Sequence, residues 1–168
     1  PHTVDTQIFK KIEDEKELEE RRREGFTILD NVNERTVFFW NNRNARRKQS
    51  GSLIYWFKKF LDDVGHDKAT LLMHTDPKDP HGQDLEYIIN HLELNKGQVY
   101  LSRAKVEPQY LSVMYNICDC TISISDAEGF GLATLESLAC ETPIIATMTG
   151  GLQEQVTDGE NWFGIGLE

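Results

Sequence analysis

The chain is expected to fold as a three-layer α/β domain, a parallel sheet with helices on both faces. Three observations carry that expectation. Short apolar runs recur along the 168 residues, each followed by an amphipathic stretch of helical period. The runs are near-continuous in apolar residues, as strands buried on both faces require. Helical stretches between successive runs are long enough for crossovers between parallel strands.

The elements follow in order. Residues 1–34 form a leading segment and a charged surface helix; residues 35–168 form the sheet domain. Lys10 to Glu24 carries Glu and Arg at helical spacing, with only Ile12 and Leu18 aliphatic, and Gly25 ends it. Thr36–Trp40 reads as the first buried strand. Ser50 is placed as an N-cap, and the helix after it sets Leu53, Ile54, Trp56, Phe57, Phe60, Leu61 and Val64 at amphipathic spacing before Gly65. Strand Ala69–His74, a proline-rich loop from Asp76 to Gly82, helix Gln83–Leu92 and strand Gln98–Leu101 come next. Helix Pro108–Cys118 turns Leu111, Met114, Tyr115 and Cys118 to one side. Strand Cys120–Ser125, helix Gly131–Ala139, strand Ile144–Thr147, short helix Leu152–Val156 and strand Trp162–Ile165 complete the series.

Composition narrows the function classes. At 39% hydrophobic and 27% charged residues the chain is an ordinary globular domain. No stretch reaches the ~20 apolar residues of a membrane span, and no secretory leader is visible. A net charge of −10 disfavours nucleic acid as a partner, so an anionic ligand must be held by local cations. Cys118, Cys120 and Cys140 make an odd count, which suits a reducing, cytoplasmic setting better than a disulfide framework. They read as small buried residues.

The stretch from Glu128 to Glu136 is the most telling. It runs strand, glycine loop, helix, strand, with two carboxylates eight positions apart. A strand entering a helix through a glycine turn presents free amides and a positive dipole end, which suit phosphate. Carboxylates beside a phosphate site serve to accept hydrogen bonds from hydroxyls, and a ligand with phosphates and many hydroxyls is a nucleotide sugar. Against this, such loops are common and Glu136 could be a solvated helix residue. A dinucleotide fold would set Gly-x-Gly-x-x-Gly after the first strand. Asn41-Asn42-Arg43-Asn44 stands there instead.

The wider pattern Glu128-Gly-Phe-Gly-Leu-x-x-Leu-Glu136-Ser-Leu-Ala-Cys140-x-Thr-Pro143-Ile-Ile-Ala146 resembles the Glu-x7-Glu signature of retaining glycosyltransferases of family 4, with the GT-B fold. Gly150-Gly151, Asp158–Asn161, Arg43–Lys48 and the opening Val4–Phe9 extend the likeness over nearly the whole chain. Asn42 and Glu141 depart from it, each standing where the family usually has glycine. The resemblance implies a Rossmann-like domain, the C-terminal, donor-binding half of a GT-B enzyme, whose acceptor domain would precede Pro1. It implies transfer of a sugar from a nucleotide diphosphate, without a cofactor or metal, in the cytoplasm or at the cytoplasmic face of a membrane.

Roles are then expected as follows. Arg43 and Lys48 meet the diphosphate, and Glu128 the sugar. Gly129, Phe130, Gly131 and Leu132 offer amides. Glu136, leaning back toward the helix N-terminus, accepts from the ribose. Arg103, Ala104 and Lys105, within the loop 102–106, lie against the base. Arg46 and Arg47 read as solvated. Two histidines and three aspartates between His74 and Asp84 raise a metal site, but no ligand spacing supports it. A nucleotide-sugar epimerase of GT-B fold and a non-catalytic binding module are the alternatives.

Overall fold

The computed structural model describes residues 3–27, 29 and 31–168. Strands β1 (Thr36–Asn41), β2 (Ala69–His74), β3 (Val99–Ser102), β4 (Cys120–Ser123), β5 (Ile144–Thr147) and β6 (Gly164–Leu167) form one sheet in the order β3-β2-β1-β4-β5-β6. Every pairing in it is parallel. The helices are α1 (Glu15–Gly25), α2 (Ser50–Val64), α3 (Leu85–His91), α4 (Pro108–Asn116), α5 (Leu132–Ala139) and α6 (Leu152–Val156).

Alternate residues of the strands feed two cores. Val37, Phe39 and Leu72 pack with Met114 and Tyr115 of α4 and with Phe9, Phe26 and Val32 of the leading segment. Trp40, Leu71 and Met73 pack on the other face with Leu53, Ile54, Phe57 and Leu61 of α2 and with Leu85 and Ile89 of α3. Leu152 and Val156 of α6 close over Ile144 and Ala146. Helices therefore cover both faces, and the fold is the Rossmann-like α/β architecture that the strand–helix alternation predicts. The strand order has one switch point: β1 lies between β2 and β4. Ligands of such sheets sit beyond the carboxyl ends of the strands at that point.

Several local expectations need correction. Helix α1 begins at Glu15, because Asp14 accepts from the amides of Lys16 and Glu17 and caps it. Residues before it are held extended along α4 instead: Ile12 N donates to Asn116 Oδ1 at 2.7 Å, and Asn116 Nδ2 donates to Lys10 O at 2.9 Å. Ser50 is not the N-cap of α2. Gln49 takes that place in a left-handed conformation, φ 56°, and the Ser50 hydroxyl donates to buried Asn44 Oδ1 at 2.7 Å. Helix α4 stops at Asn116, two residues early, and β4 stops at Ser123. The last strand begins at Gly164, because Asp158 accepts from the amides of Glu160 and Asn161 and folds that segment into a turn closed by a Thr157–Trp162 bridge.

No helix among the described residues is long and apolar enough to cross a membrane. Cys118 and Cys140 are buried, and all three cysteines are free thiols. Burial pushes the Cys120 thiol up to about 11, so it does not ionise near neutrality.

Candidate functional site

Two clefts open at the carboxyl edge of the sheet, on either side of the turn that follows β1. The first, of ≈ 440 Å³, lies between that turn and the start of α5. The second, of ≈ 600 Å³, lies over the ends of β2 and β3. Asn41, Asn42 and Arg43 line both, so the clefts run into one another.

The floor of the first cleft is built from two loops zipped together. After β1 the chain makes a 3₁₀ turn over Arg46–Lys48. Asp126 N donates to Arg47 O at 2.8 Å, and Gln49 Nε2 reaches both oxygens of Asp126. Arg47 Nη1 donates to Ala127 O at 2.6 Å and stands 3.6 Å from Glu128. It is a half-exposed structural tie, where the basic run alone suggests a solvated residue. Lys48 ion-pairs directly with Glu128; the two side chains are 8% and 13% exposed. A buried cation beside a partly buried carboxylate leaves little net charge but fixes both groups at the cleft wall.

Glycines set the path of the loop from Glu128 to Gly131. A Cβ at Gly150 would collide with the Glu128 carbonyl, and one at Gly151 would come within 3 Å of the carbonyls of Gly129 and Phe130. Gly151 N donates to Glu128 O at 3.2 Å. Gln155 Nε2 donates to Phe130 O at 2.6 Å and to Gly131 O at 3.0 Å. The loop carbonyls are thus engaged from α6. Gly131, at φ 86°, starts α5, whose first backbone bond runs from Leu135 N to Gly131 O. The first-turn amides of Leu132, Ala133 and Thr134 have no intrahelical acceptor, and all three residues line the cleft.

Glu136 stands one turn further along α5 and lines the same cleft. Its Oε2 accepts from Tyr115 at 2.8 Å. Burial raises its pKa above the ordinary carboxylate range, and the Tyr115 hydrogen bond opposes that rise.

Arg43 sits at the junction of the clefts, but its fork is already engaged. Nε and Nη2 grip the two oxygens of Asp79 at 2.6 and 3.2 Å, and His81 Nδ1 lies 2.8 Å from Nη2. The guanidinium, through its hydrogen bond above all, holds the Asp79 carboxyl well below its usual range. A diphosphate arriving at Arg43 would compete with that carboxylate or bind the free edge of the guanidinium.

In the second cleft Arg103 is paired with Glu86, which also takes Lys78 at 2.9 Å. His74 Nδ1 lies 2.9 Å from Ser102 Oγ, and burial lowers its pKa. Ala104 and Lys105 complete that wall. Asp76 and Asp84 are spent on turns and caps: Asp76 accepts from Lys78 N, and Asp84 from Tyr87 N. Among the described residues no group of three or more His, Cys, Asp or Glu could hold a metal ion.

The structure therefore gathers Arg43, Lys48, Glu128, Phe130, Gly131, Leu132 and Glu136 around one cleft, and Arg43, Arg103, Ala104 and Lys105 around its neighbour. Gly129 lines neither, and a Cβ there would meet nothing within 4 Å. Sequence reasoning missed Asn41, Tyr115 and Asp79. Tyr115 carried a signal, since a tyrosine on a core-facing helix side has a hydroxyl that needs a partner.

Comparison with known proteins bears on the family and the fold. Residues 22–165 match the family model described as glycosyl transferases group 1. The chain is 46% identical over 69 residues to a D-inositol 3-phosphate glycosyltransferase of Acidothermus cellulolyticus, a match covering 41% of this chain and 15% of that protein. Its fold is similar to that of Anabaena HepE in complex with UDP and glucose (TM-score 0.75, 20% identity, 99% of this chain and 41% of that one). It is also similar to the C-terminal domain of a glycosyl transferase group 1 family protein from Francisella tularensis (TM-score 0.70, 22% identity, 99% and 80%). The match thus spans less than a fifth of the curated relative's length. On the family match across most of its length, the chain belongs to the group 1 glycosyl transferases.

Proposed function

We propose that this chain is the nucleotide-sugar-binding half of a retaining glycosyltransferase of family 4, transferring a sugar from a nucleotide diphosphate to an acceptor hydroxyl. The observation that carries the reading is the convergence of Glu128, Glu136, Lys48 and Arg43 with the N-terminus of α5 around one ≈ 440 Å³ cleft. Cations and free amides at one end suit a diphosphate; carboxylates suit the hydroxyls of ribose and sugar. HepE, solved with UDP and glucose, supports the reading by its fold.

In this reading the ribose donates to Glu136, and the diphosphate lies between the first turn of α5, Arg43 and Lys48. The sugar lies against Glu128, and the base enters the second cleft beside Arg103, Ala104 and Lys105. As the glycosidic bond breaks, negative charge grows on the leaving diphosphate. Preorganised cations and amides stabilise it without having to reorganise. Lys48, held at the cleft wall by Glu128, and the free edge of the Arg43 guanidinium would donate hydrogen bonds to it from the chain itself, so the reaction is expected to proceed without a bound metal. The acceptor comes from a further domain. Positioning two reactants needs both walls of the cleft, so the 168-residue chain alone binds donor and transfers nothing.

A thermal-shift panel of UDP-, GDP- and ADP-sugars tests the reading. A ligand that binds only the folded state at 100 times its Kd adds about 2.7 kcal/mol of stability. A shift with one nucleotide sugar, absent with its free sugar, is expected. No shift with any of them overturns the assignment.

A further inference from the structure

We propose that Tyr115 is a positioning residue for donor binding: its hydroxyl, tethered by Asn41, holds the Glu136 carboxylate in the orientation that receives the ribose hydroxyls of a nucleoside diphosphate. The inference rests on the assignment of Glu136 to the ribose and extends it to two residues that do not depend on the Glu-x7-Glu pattern.

Three elements meet in this relay. Asn41 ends β1, Tyr115 lies on α4 and Glu136 on α5. Asn41 Nδ2 donates to the Tyr115 hydroxyl oxygen at 2.8 Å, and that hydroxyl donates to Glu136 Oε2 at 2.8 Å. The direction is fixed by chemistry. An amide nitrogen only donates, so the phenol oxygen accepts from Asn41 and its single proton goes to the carboxylate. Tyr115 has no freedom to do otherwise. It is 0% exposed, and its ring meets Phe39 edge-on at 5.0 Å and Phe9 at 6.1 Å between centroids.

Burial, reinforced by the charge of Glu136, keeps the Tyr115 pKa well above its ordinary value, so the donor proton is retained. Glu136 and Asn41 both face the cleft, whereas Tyr115 lies behind them. Among the described residues no hydrogen bond engages Glu136 Oε1. One oxygen is therefore anchored and the other is left for a ligand. A glutamate has three rotatable bonds, and a carboxylate held at one oxygen presents a single plane to a pair of vicinal hydroxyls. The relay thus prepares the acceptor before the ligand arrives.

A purely structural tyrosine would stabilise the α4–α5 contact and affect every ligand alike. The positioning role affects only ligands that carry ribose hydroxyls. The experiment measures, by calorimetric titration, the affinities of UDP, GDP and ADP and of their 2′,3′-dideoxy counterparts for the parent chain, Tyr115→Phe and Glu136→Ala. Phenylalanine keeps the ring and its packing. Tyr115→Phe is expected to weaken the ribonucleotide about tenfold, the scale of one hydrogen bond to a charged group, and to leave the dideoxynucleotide unchanged. Equal loss for both ligands, or an unchanged ribo-to-dideoxy ratio, overturns the proposal. If Glu136→Ala collapses the ratio while Tyr115→Phe preserves it, the relay falls and the ribose assignment stands. If Glu136→Ala also preserves the ratio, or the parent binds none of the ribonucleotides, both fall. Should Tyr115→Phe not fold, Asn41→Ala at the outer end of the tether carries the same test. An unchanged ratio there overturns the relay.

Discussion

Lys48→Met isolates the ion pair around which the cleft is built. Methionine keeps the length of the stem and removes the charge, leaving Glu128, 13% exposed, with only Arg47 at 3.6 Å as a cationic neighbour among the described residues. Removing one partner of a fully buried pair costs ~3–5 kcal/mol. Arg47 and the partial access of Glu128 to water bring the expectation to roughly 2–3 kcal/mol. For a domain of this size that lowers Tm by roughly 4–12 °C. Glu128→Gln leaves Lys48 buried without its partner and should cost a similar amount. The double variant removes both charges, so its loss should fall short of the sum by roughly 1.5–3 kcal/mol.

Urea unfolding of the four proteins gives the cycle. Titration of the same four with the nucleotide sugar of largest thermal shift gives a second, independent reading. Donor affinity should fall in both single variants and stay low in the double, because the ligand contacts leave with the charges. Additive stabilities, or a double variant with parental affinity, would refute the reasoning.

The sheet was legible because its strands are continuous apolar runs at crossover spacing, a signal that needs no tertiary information. The glycine loop was legible for a similar reason: Glu128 to Glu136 is contiguous, although the ties that fix its path come from Gly150, Gly151 and Gln155, further along the chain. What escaped notice depends on partners distant in the chain. Arg43 meets Asp79 across 36 positions, and Asn41 meets Tyr115 across 74. Neither partner can be inferred from spacing. Ser50 followed a sound capping rule, but buried Asn44 competes for its hydroxyl and the cap passes to Gln49. Tyr115 has the periodicity of a core residue and is one. Only the fate of its hydroxyl distinguishes it from a phenylalanine.

Four further outcomes are expected. Glu136→Ala should weaken ribonucleotide-sugar binding by roughly 1.5–3 kcal/mol in titration while far-UV circular dichroism stays unchanged, since a helix accepts alanine. Arg43→Ala should weaken a nucleoside diphosphate far more than the free nucleoside, and EDTA should leave both affinities as they are; a strict magnesium or manganese requirement would revive the His74–Asp84 loop. Burial raises the Glu136 pKa, so ribose-dependent affinity should fall on acidification at a higher pH than an ordinary carboxylate would give. Stability from this group runs the other way, full below its unfolded pKa and lost as pH rises through the folded one. Last, Glu141→Gly should stabilise the fold. Glu141 follows the end of α5 at φ +58°, where its amide donates to Leu138 O at 3.0 Å and the next amide to Ser137 O at 3.0 Å. That is the left-handed C-terminal position glycine favours, and a side chain there costs about 1–2 kcal/mol. The ion pair it makes with Lys11 at 3.1 Å is exposed on both sides and returns little. The extra freedom of glycine in the unfolded chain offsets part of the gain, leaving about 0.5–1 kcal/mol, a rise in Tm of roughly 1–4 °C. Glu141→Ala separates the two effects, because it loses the ion pair and keeps the strain, and its Tm should not rise. A fall in Tm for the glycine variant would mean that the Lys11 contact outweighs the backbone.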